Sequence, residues 1–269
     1  RLGIPLRTFI FAEIAYWTMV LGTLGIVWTT LISGFGASWV ALYPLPFHSA
    51  GQWSDTATGL FSFAVLLAGV SIITWSFALL VAVTGPTVGA GGKGVVYRFF
   101  IALGFAKLWP SRFKTDDGRT VAYPVIPITV VAFNMLTMTL PFAVLLVLMI
   151  AQSIDGSITT DPQLAKNLLW AFGHPVVYLL LFPCVAALYY FIPRFARREL
   201  VSGRIVVVVW FVALVSNSFL WAHHMYLDYP DSGPQQVLNF VHEPVTFAIV
   251  LASAVSIYAL STTILKSDF

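Results

Sequence analysis

The chain has 269 residues, of which 59% are hydrophobic and 9% charged, with a formal net charge of +3. A soluble domain averages roughly a quarter charged residues, so a water-soluble globule is excluded, and nothing in the charge suggests nucleic-acid binding. The one cysteine, Cys184, excludes an internal disulfide and any cysteine-rich metal or iron–sulfur site; in its apolar run it reads as a small packed hydrophobe.

Crossing ~30 Å of hydrocarbon takes about 20 apolar residues of helix. Six stretches are long enough, at 8–32, 58–83, 128–152, 168–192, 205–227 and 237–265. None alternates polar and apolar residues. The expected fold is therefore all-α, one integral membrane domain of six transmembrane helices over residues 1–269. No cleavable signal peptide is visible, and the start at Arg1 rather than Met reads as a piece of something longer.

Arg1 and Arg7 precede the first span. Glu13 sits near its start and either admits protons or, as the plainer reading, pairs with Arg7 or snorkels to the interface. The following loop holds His48, read as structural or solvated, and Asp55. Span two leads into the long connection 85–123, which carries Lys93, Arg98, Lys107, Arg112, Lys114 and Arg119. Its Gly89–Lys93 stretch is a flexible turn rather than a phosphate loop, because no strand precedes it. Residues 99–106 are expected to lie along the interface as a short amphipathic helix. Asp155, Asp161 and Lys166 separate spans three and four, and Arg194, Arg197, Arg198 and Arg204 follow span four. Asp228 and Asp231 follow span five, and Lys266 closes span six.

Thirteen of the fourteen basic residues thus fall on one side. By the positive-inside rule that side is cytoplasmic, and so are both ends of the chain. The expected location is the plasma membrane of a prokaryotic cell.

Spans four and five carry the chemistry. Gly173-His-Pro-Val-Val-Tyr178 lies in the fourth and His223-His224 in the fifth. Ionisable side chains inside a bilayer mark function, and imidazole is a ligand for copper, iron and zinc. The topology puts all three histidines at similar depth, with His174 ~9 Å into the outer leaflet at ~1.5 Å per residue. His174 and Tyr178, four apart, share a helical face. Pro175 removes a backbone donor and loosens the preceding carbonyl, which can aim a side chain inward. His223 and His224 point ~100° apart on a regular helix, so both reach one metal only if it lies in the wedge between them. Hydrogen-bonded core histidines are the plain alternative. Three of them at one depth, two adjacent, favour a metal, since an unsatisfied imidazole is costly in hydrocarbon. A set of imidazoles without carboxylate or thiolate suits copper or zinc alike.

Trp170-Ala-Phe-Gly-His-Pro-Val-Val-Tyr178 resembles the signature of subunit I of the haem–copper terminal oxidases, and Trp221-Ala-His-His-Met225 matches its second motif. The separation of 49 residues between His174 and His223 fits as well. Tyr43-Pro-Leu-Pro46 resembles the loop after the family's third helix. The resemblance runs over the whole chain, weakly before Asp161 and strongly from there to Ser256. It implies that His174, His223 and His224 bind the copper called CuB, that Tyr178 is cross-linked to His174 as a redox-active proton and electron donor, and that Trp170 packs beside the site. It further implies reduction of dioxygen to water with coupled proton translocation, the six spans being helices three to eight of a twelve-helix core.

Two departures point to the B-type oxidases. Val176 stands where the commonest oxidases have glutamate, and no lysine lies within span six. In that subfamily hydroxyls line one proton route. By resemblance Tyr189, Ser253 and Ser256 line it here, with Thr246 on the same span. Tyr189 is eleven residues, ~16 Å, nearer the cytoplasm than Tyr178. Ordinary packing of serine and threonine between membrane helices explains these residues equally, and Tyr190 reads as an interface anchor. His242 and Glu243, at the outer start of span six, suit proton exit, haem propionates or a simple interfacial position.

The family needs histidines for a low-spin and a high-spin haem, and His48 and His242 sit in no haem motif. The haem ligands are therefore expected from the remainder of subunit I or from a second chain. The other implied partners are oxidase subunit II, the lipid bilayer and an electron donor, which is cytochrome c, another small redox protein or quinol. Two rivals stand apart. The related nitric oxide reductases lack the tyrosine and place glutamates near the metal, whereas spans four and five hold no carboxylate. A non-redox transporter calls for broken helices in related halves, and none is visible.

Overall fold

The computed structural model describes residues 6–36, 49, 51–85, 92–116, 118–225 and 233–267. Tyr43–Pro46 and His48 lie outside the described residues. Among the described residues there is no strand, and the helices are α1 (Leu6–Leu31), α2 (Asp55–Thr84), α3 (Val95–Ala102), α4 (Phe105–Leu108), α5 (Val125–Ile154), α6 (Pro162–Gly173), α7 (Tyr178–Phe195), α8 (Gly203–Asn217) and α9 (Gly233–Leu265).

Five stretches are long and apolar enough to cross a membrane: Phe9–Leu31, Asp55–Thr84, Val125–Ile154, Pro162–Phe195 and Asn239–Leu265. The chain is thus an all-helical membrane protein, as its hydropathy requires. The expected fifth span differs. Its α-helical part, α8, has 15 residues, only ~22 Å of rise. The chain then continues in 3₁₀ geometry over Leu220–Met225. The change falls at Ser216-Asn-Ser218, side chains that compete for backbone hydrogen bonds. Ser218 Oγ donates to the Leu214 carbonyl at 3.2 Å. The expected fourth span is likewise divided: α6 ends at Gly173, Pro175–Val177 form a 3₁₀ turn, and α7 begins at Tyr178. Pro175 withholds the amide that a continuous α-helix needs.

The chain divides into two compact units, residues 1–76 with 135–174 and residues 77–134 with 175–269. In the first, α1 and α2 meet through small residues. A Cβ at Gly22 would lie 2.8 Å from the Ala64 carbonyl oxygen and the Ala68 nitrogen, so hydrogen alone fits. Ser71 Oγ ties the pair by donating to the Ala15 carbonyl at 2.5 Å. Leu145, Leu146 and Met149 of α5 form a core with Ala165 and Leu169 of α6. Helix α6 starts where the side chain of Asp161 accepts from Leu164 N at 2.7 Å, with Pro162 in the first turn, where a missing donor does no harm.

In the second unit, α8 packs mainly on α9, which also receives α7 and the 3₁₀ turn after α8. The connection before α5 is anchored by aromatics: Phe105 contacts Phe100, Trp109, Phe113 and Phe211. The single helix expected at 99–106 is instead divided at Gly104 between α3 and α4. That residue has φ +87°, and a Cβ there would meet Ile126 Cδ1 at 2.8 Å. Hydroxyls within the long helices satisfy themselves locally, as Thr29 does to Gly25 O and Thr139 to Met135 O.

Candidate metal centre

His174 is the C-cap of α6, and its amide donates to the Trp170 carbonyl at 3.2 Å. The next residue is the proline that ends the helix, so His174 stands at a break and not mid-helix as the spacing had suggested. The path from His174 to Tyr178 runs through a 3₁₀ turn rather than along one α-helical face. Trp170 packs against the Leu145–Leu169 core. Its ring also lies over Gly173, where a Cβ would come within 3.1 Å of Trp170 Cε3.

His223 and His224 sit in the 3₁₀ turn after α8, with ring centroids 4.4 Å apart and planes at 49°. Successive residues there turn by ~120° rather than ~100°. His223 Nδ1 lies 3.2 Å from Thr246 Oγ1 on α9. That hydroxyl donates its own proton to the His242 carbonyl at 2.8 Å. It therefore offers His223 only a lone pair, so Nδ1 carries hydrogen and Nε2 is the nitrogen with a lone pair to offer.

His223 and His224 thus stand side by side in the second unit, while His174 closes α6 in the first. Neither histidine motif carries a carboxylate or a thiolate, and imidazole donors alone fit copper.

Tyr178 opens α7, and its ring stacks on Phe182 one turn on, at 4.7 Å and 25°. Tyr189 and Ser256 come together, their oxygens 2.6 Å apart. Ser256 Oγ in turn donates to the Ala252 carbonyl at 2.5 Å. Ser253 is exposed and shares a small cavity with Ser256, Phe182 and Trp210. Thr246 belongs with the histidines rather than with this pair.

Glu13 is exposed on α1, and His242 and Glu243 lie within α9 rather than at its start. Tyr190 is exposed with the Arg194 guanidinium 3.4 Å over its ring, an arrangement suited to an interface. Cys184, expected to be packed, is exposed on α7. In a bilayer an exposed face meets hydrocarbon, and a small thiol is at home there.

Two residues escaped the sequence reading. Trp210 Nε1 donates to Tyr189 Oη at 3.1 Å. An indole in mid-span rather than at an interface was the available signal. Asn217 is wholly buried with neither amide atom hydrogen-bonded, and a lone amide in an apolar run gave no pattern to notice.

The family described as cytochrome c and quinol oxidase polypeptide I matches residues 2–269. Cytochrome c oxidase polypeptide 1 of Halobacterium salinarum is 28% identical over 93% of this chain and 38% of its own length. Cytochrome c oxidase subunit 1 of Cereibacter sphaeroides is 27% identical over 80% of this chain and 35% of its own length. Alternative cytochrome c oxidase subunit 1 of Bradyrhizobium diazoefficiens is 33% identical over 40% of this chain and 18% of its own length. The chain spans well under half the length of these curated relatives.

Proposed function

The chain belongs to the cytochrome c and quinol oxidase polypeptide I family, and on that premise we propose that it is the CuB-bearing segment of a terminal oxidase that reduces dioxygen to water. The single observation that carries this reading is the adjacency of His223 and His224, ring centroids 4.4 Å apart, at the second histidine motif of a chain in this family. Copper held by His174, His223 and His224 would supply a one-electron redox centre.

The chain's own residues do the rest. Thr246 holds His223 in the tautomer that presents Nε2. Tyr178 keeps a proton on its phenol, cross-linked to His174, and gives it up with an electron during turnover. Tyr189, Ser256 and Ser253 move protons from the basic, cytoplasmic side toward Tyr178, and Trp170 holds the wall behind His174. The apolar helix faces keep water from short-circuiting that route. Val176 and the absence of lysine within 237–265 support the B-type subfamily. The haem ligands come from the rest of subunit I or a second chain. Subunit II and cytochrome c, a small redox protein or quinol deliver electrons, and the site is a prokaryotic plasma membrane with both ends of this chain cytoplasmic. Coupling to proton translocation places the complex at the end of a respiratory chain.

Metal and haem analysis of the complete complex tests this. One copper at the histidine site and two haems are expected, and copper-free complex that reduces dioxygen at full rate overturns it.

A further inference from the structure

The hydrogen bonds around Tyr189 have a fixed direction. Tyr189, Trp210 and Ser256 are 2%, 1% and 3% exposed, so at rest their hydrogen bonds are made to one another. The indole N–H of Trp210 is a donor only. It points at Tyr189 Oη from 3.1 Å, so that oxygen accepts there. The phenol's own hydrogen is left for Ser256 Oγ, 2.6 Å away. Ser256 can then accept, because its hydrogen already goes to the Ala252 carbonyl at 2.5 Å. All three hydrogens point the same way, from α8 through α7 into α9. The string ends beside a small cavity lined by Phe182, Trp210, Ala252, Ser253 and Ser256.

We infer that Trp210 is a positioning residue that sets the direction in which Tyr189 and Ser256 hand on protons. This rests on the reading of those two hydroxyls as a proton route. An excess proton, arriving as hydronium from the cytoplasmic side, adds to the second lone pair of Tyr189 Oη as the phenol's original O–H bond breaks toward Ser256. Ser256 Oγ gains that proton as its own O–H, turned from the Ala252 carbonyl toward the cavity, breaks and passes its proton to water there, which leaves as hydronium. Each oxygen again carries one hydrogen, and no charge stays behind. To reset, Ser256 must turn back to the Ala252 carbonyl and Tyr189 must turn its new hydrogen back toward Ser256. The indole enforces this, because it can neither accept a hydrogen from Tyr189 nor make way for one. Without the N–H the phenol is free to rest pointing the wrong way, and each cycle waits for the rotor. The Phe182 ring, edge-on to Trp210 at 4.7 Å and 86°, holds the indole plane in place.

The test compares Trp210→Phe, Trp210→His and Tyr189→Phe in the complete oxidase complex. Trp210→Phe keeps an aromatic wall and removes the donor. It should lower turnover about tenfold, as expected for one positioning hydrogen bond, and raise the solvent deuterium isotope effect, with copper content unchanged. Trp210→His restores an N–H and should recover most of the rate. Independently of turnover, the ultraviolet resonance Raman band of the Trp210 indole N–H should shift to its unbonded position in Tyr189→Phe. Wild-type rate and isotope effect in Trp210→Phe, while Tyr189→Phe is slow, overturn the role of Trp210 alone. Full activity in Tyr189→Phe overturns the proton route and this inference with it. A slow Trp210→Phe that Trp210→His does not rescue, with normal copper, reduces Trp210 to a packing residue and also overturns it.

Discussion

His223 Nδ1 and Thr246 Oγ1 lie 3.2 Å apart, and the threonine has already given its proton to the backbone of His242. In the proposed copper site, the direction of that hydrogen bond decides which nitrogen His223 presents. Thr246→Val removes the acceptor while keeping the shape of the side chain. Copper affinity should fall about 10–100-fold, the usual cost of losing an outer-shell partner. Thr246→Ser should stay near wild type. Competitive titration against a chelator measures both.

Replacing a proposed ligand is more drastic. His224→Asn would leave two of the three proposed imidazole ligands. Copper bound to the purified complex should drop at least about tenfold, while helix content by circular dichroism stays constant. A variant that retains full copper removes His224 from the set.

Tyr178→Phe takes away one oxygen and keeps the ring stacked on Phe182. Turnover should fall by about 10²-fold or more, the range for a lost proton-transfer group, and copper content should not change. That split between metal loading and rate separates a chemical role for the phenol from a structural one.

The contact between α1 and α2 predicts a stability effect. Gly22→Leu forces a side chain against the Ala64 carbonyl oxygen and Ala68 nitrogen, 2.8 Å from where its Cβ begins. The backbones must part, at a cost of about 1–3 kcal/mol. Thermal unfolding in detergent should show the loss, and an exposed control such as Leu24→Ala should show little.

The connection before α5 predicts a pH dependence. Lys107 donates to Thr120 Oγ1 at 2.8 Å and lies 4.3 Å from the centroid of the Tyr123 ring. Burial holds its ammonium below the ordinary lysine range, against an opposing pull from Glu199. The unfolded chain thus binds more protons between that lowered value and ~10.4, and stability rises with pH across the window. Burial, and then Glu199, hold the Tyr123 phenol above its ordinary range. The folded chain keeps that proton longer, so stability falls as pH rises above ~10. The pair should produce a local maximum near pH ~10, and Lys107→Met should remove its rising side. Denaturant titrations at a series of pH values measure it.

Much of this molecule was legible in one dimension. The apolar helices follow from hydropathy alone, because a backbone in hydrocarbon must satisfy itself within each segment. Depth and motif spacing singled out His174, His223 and His224 as candidate ligands. They did not reveal the turns around them. Pro175 was read as a perturbation inside a helix, yet it ends one, and the Asn217-Ser218 step stops α8 short of the length its apolar run promised.

Composition, charge asymmetry and the two histidine motifs by themselves determined the membrane setting, the family and the candidate ligands, since each depends on residue type and local spacing. Only the tertiary structure decided which nitrogen of His223 faces Thr246, that Gly22 lies against α2, and that Tyr189 joins Trp210 across 21 residues and Ser256 across 67. Those outcomes depend on how each helix is rotated about its axis. That rotation is set by the sum of many side-chain contacts between segments distant in the chain, and no local pattern encodes it.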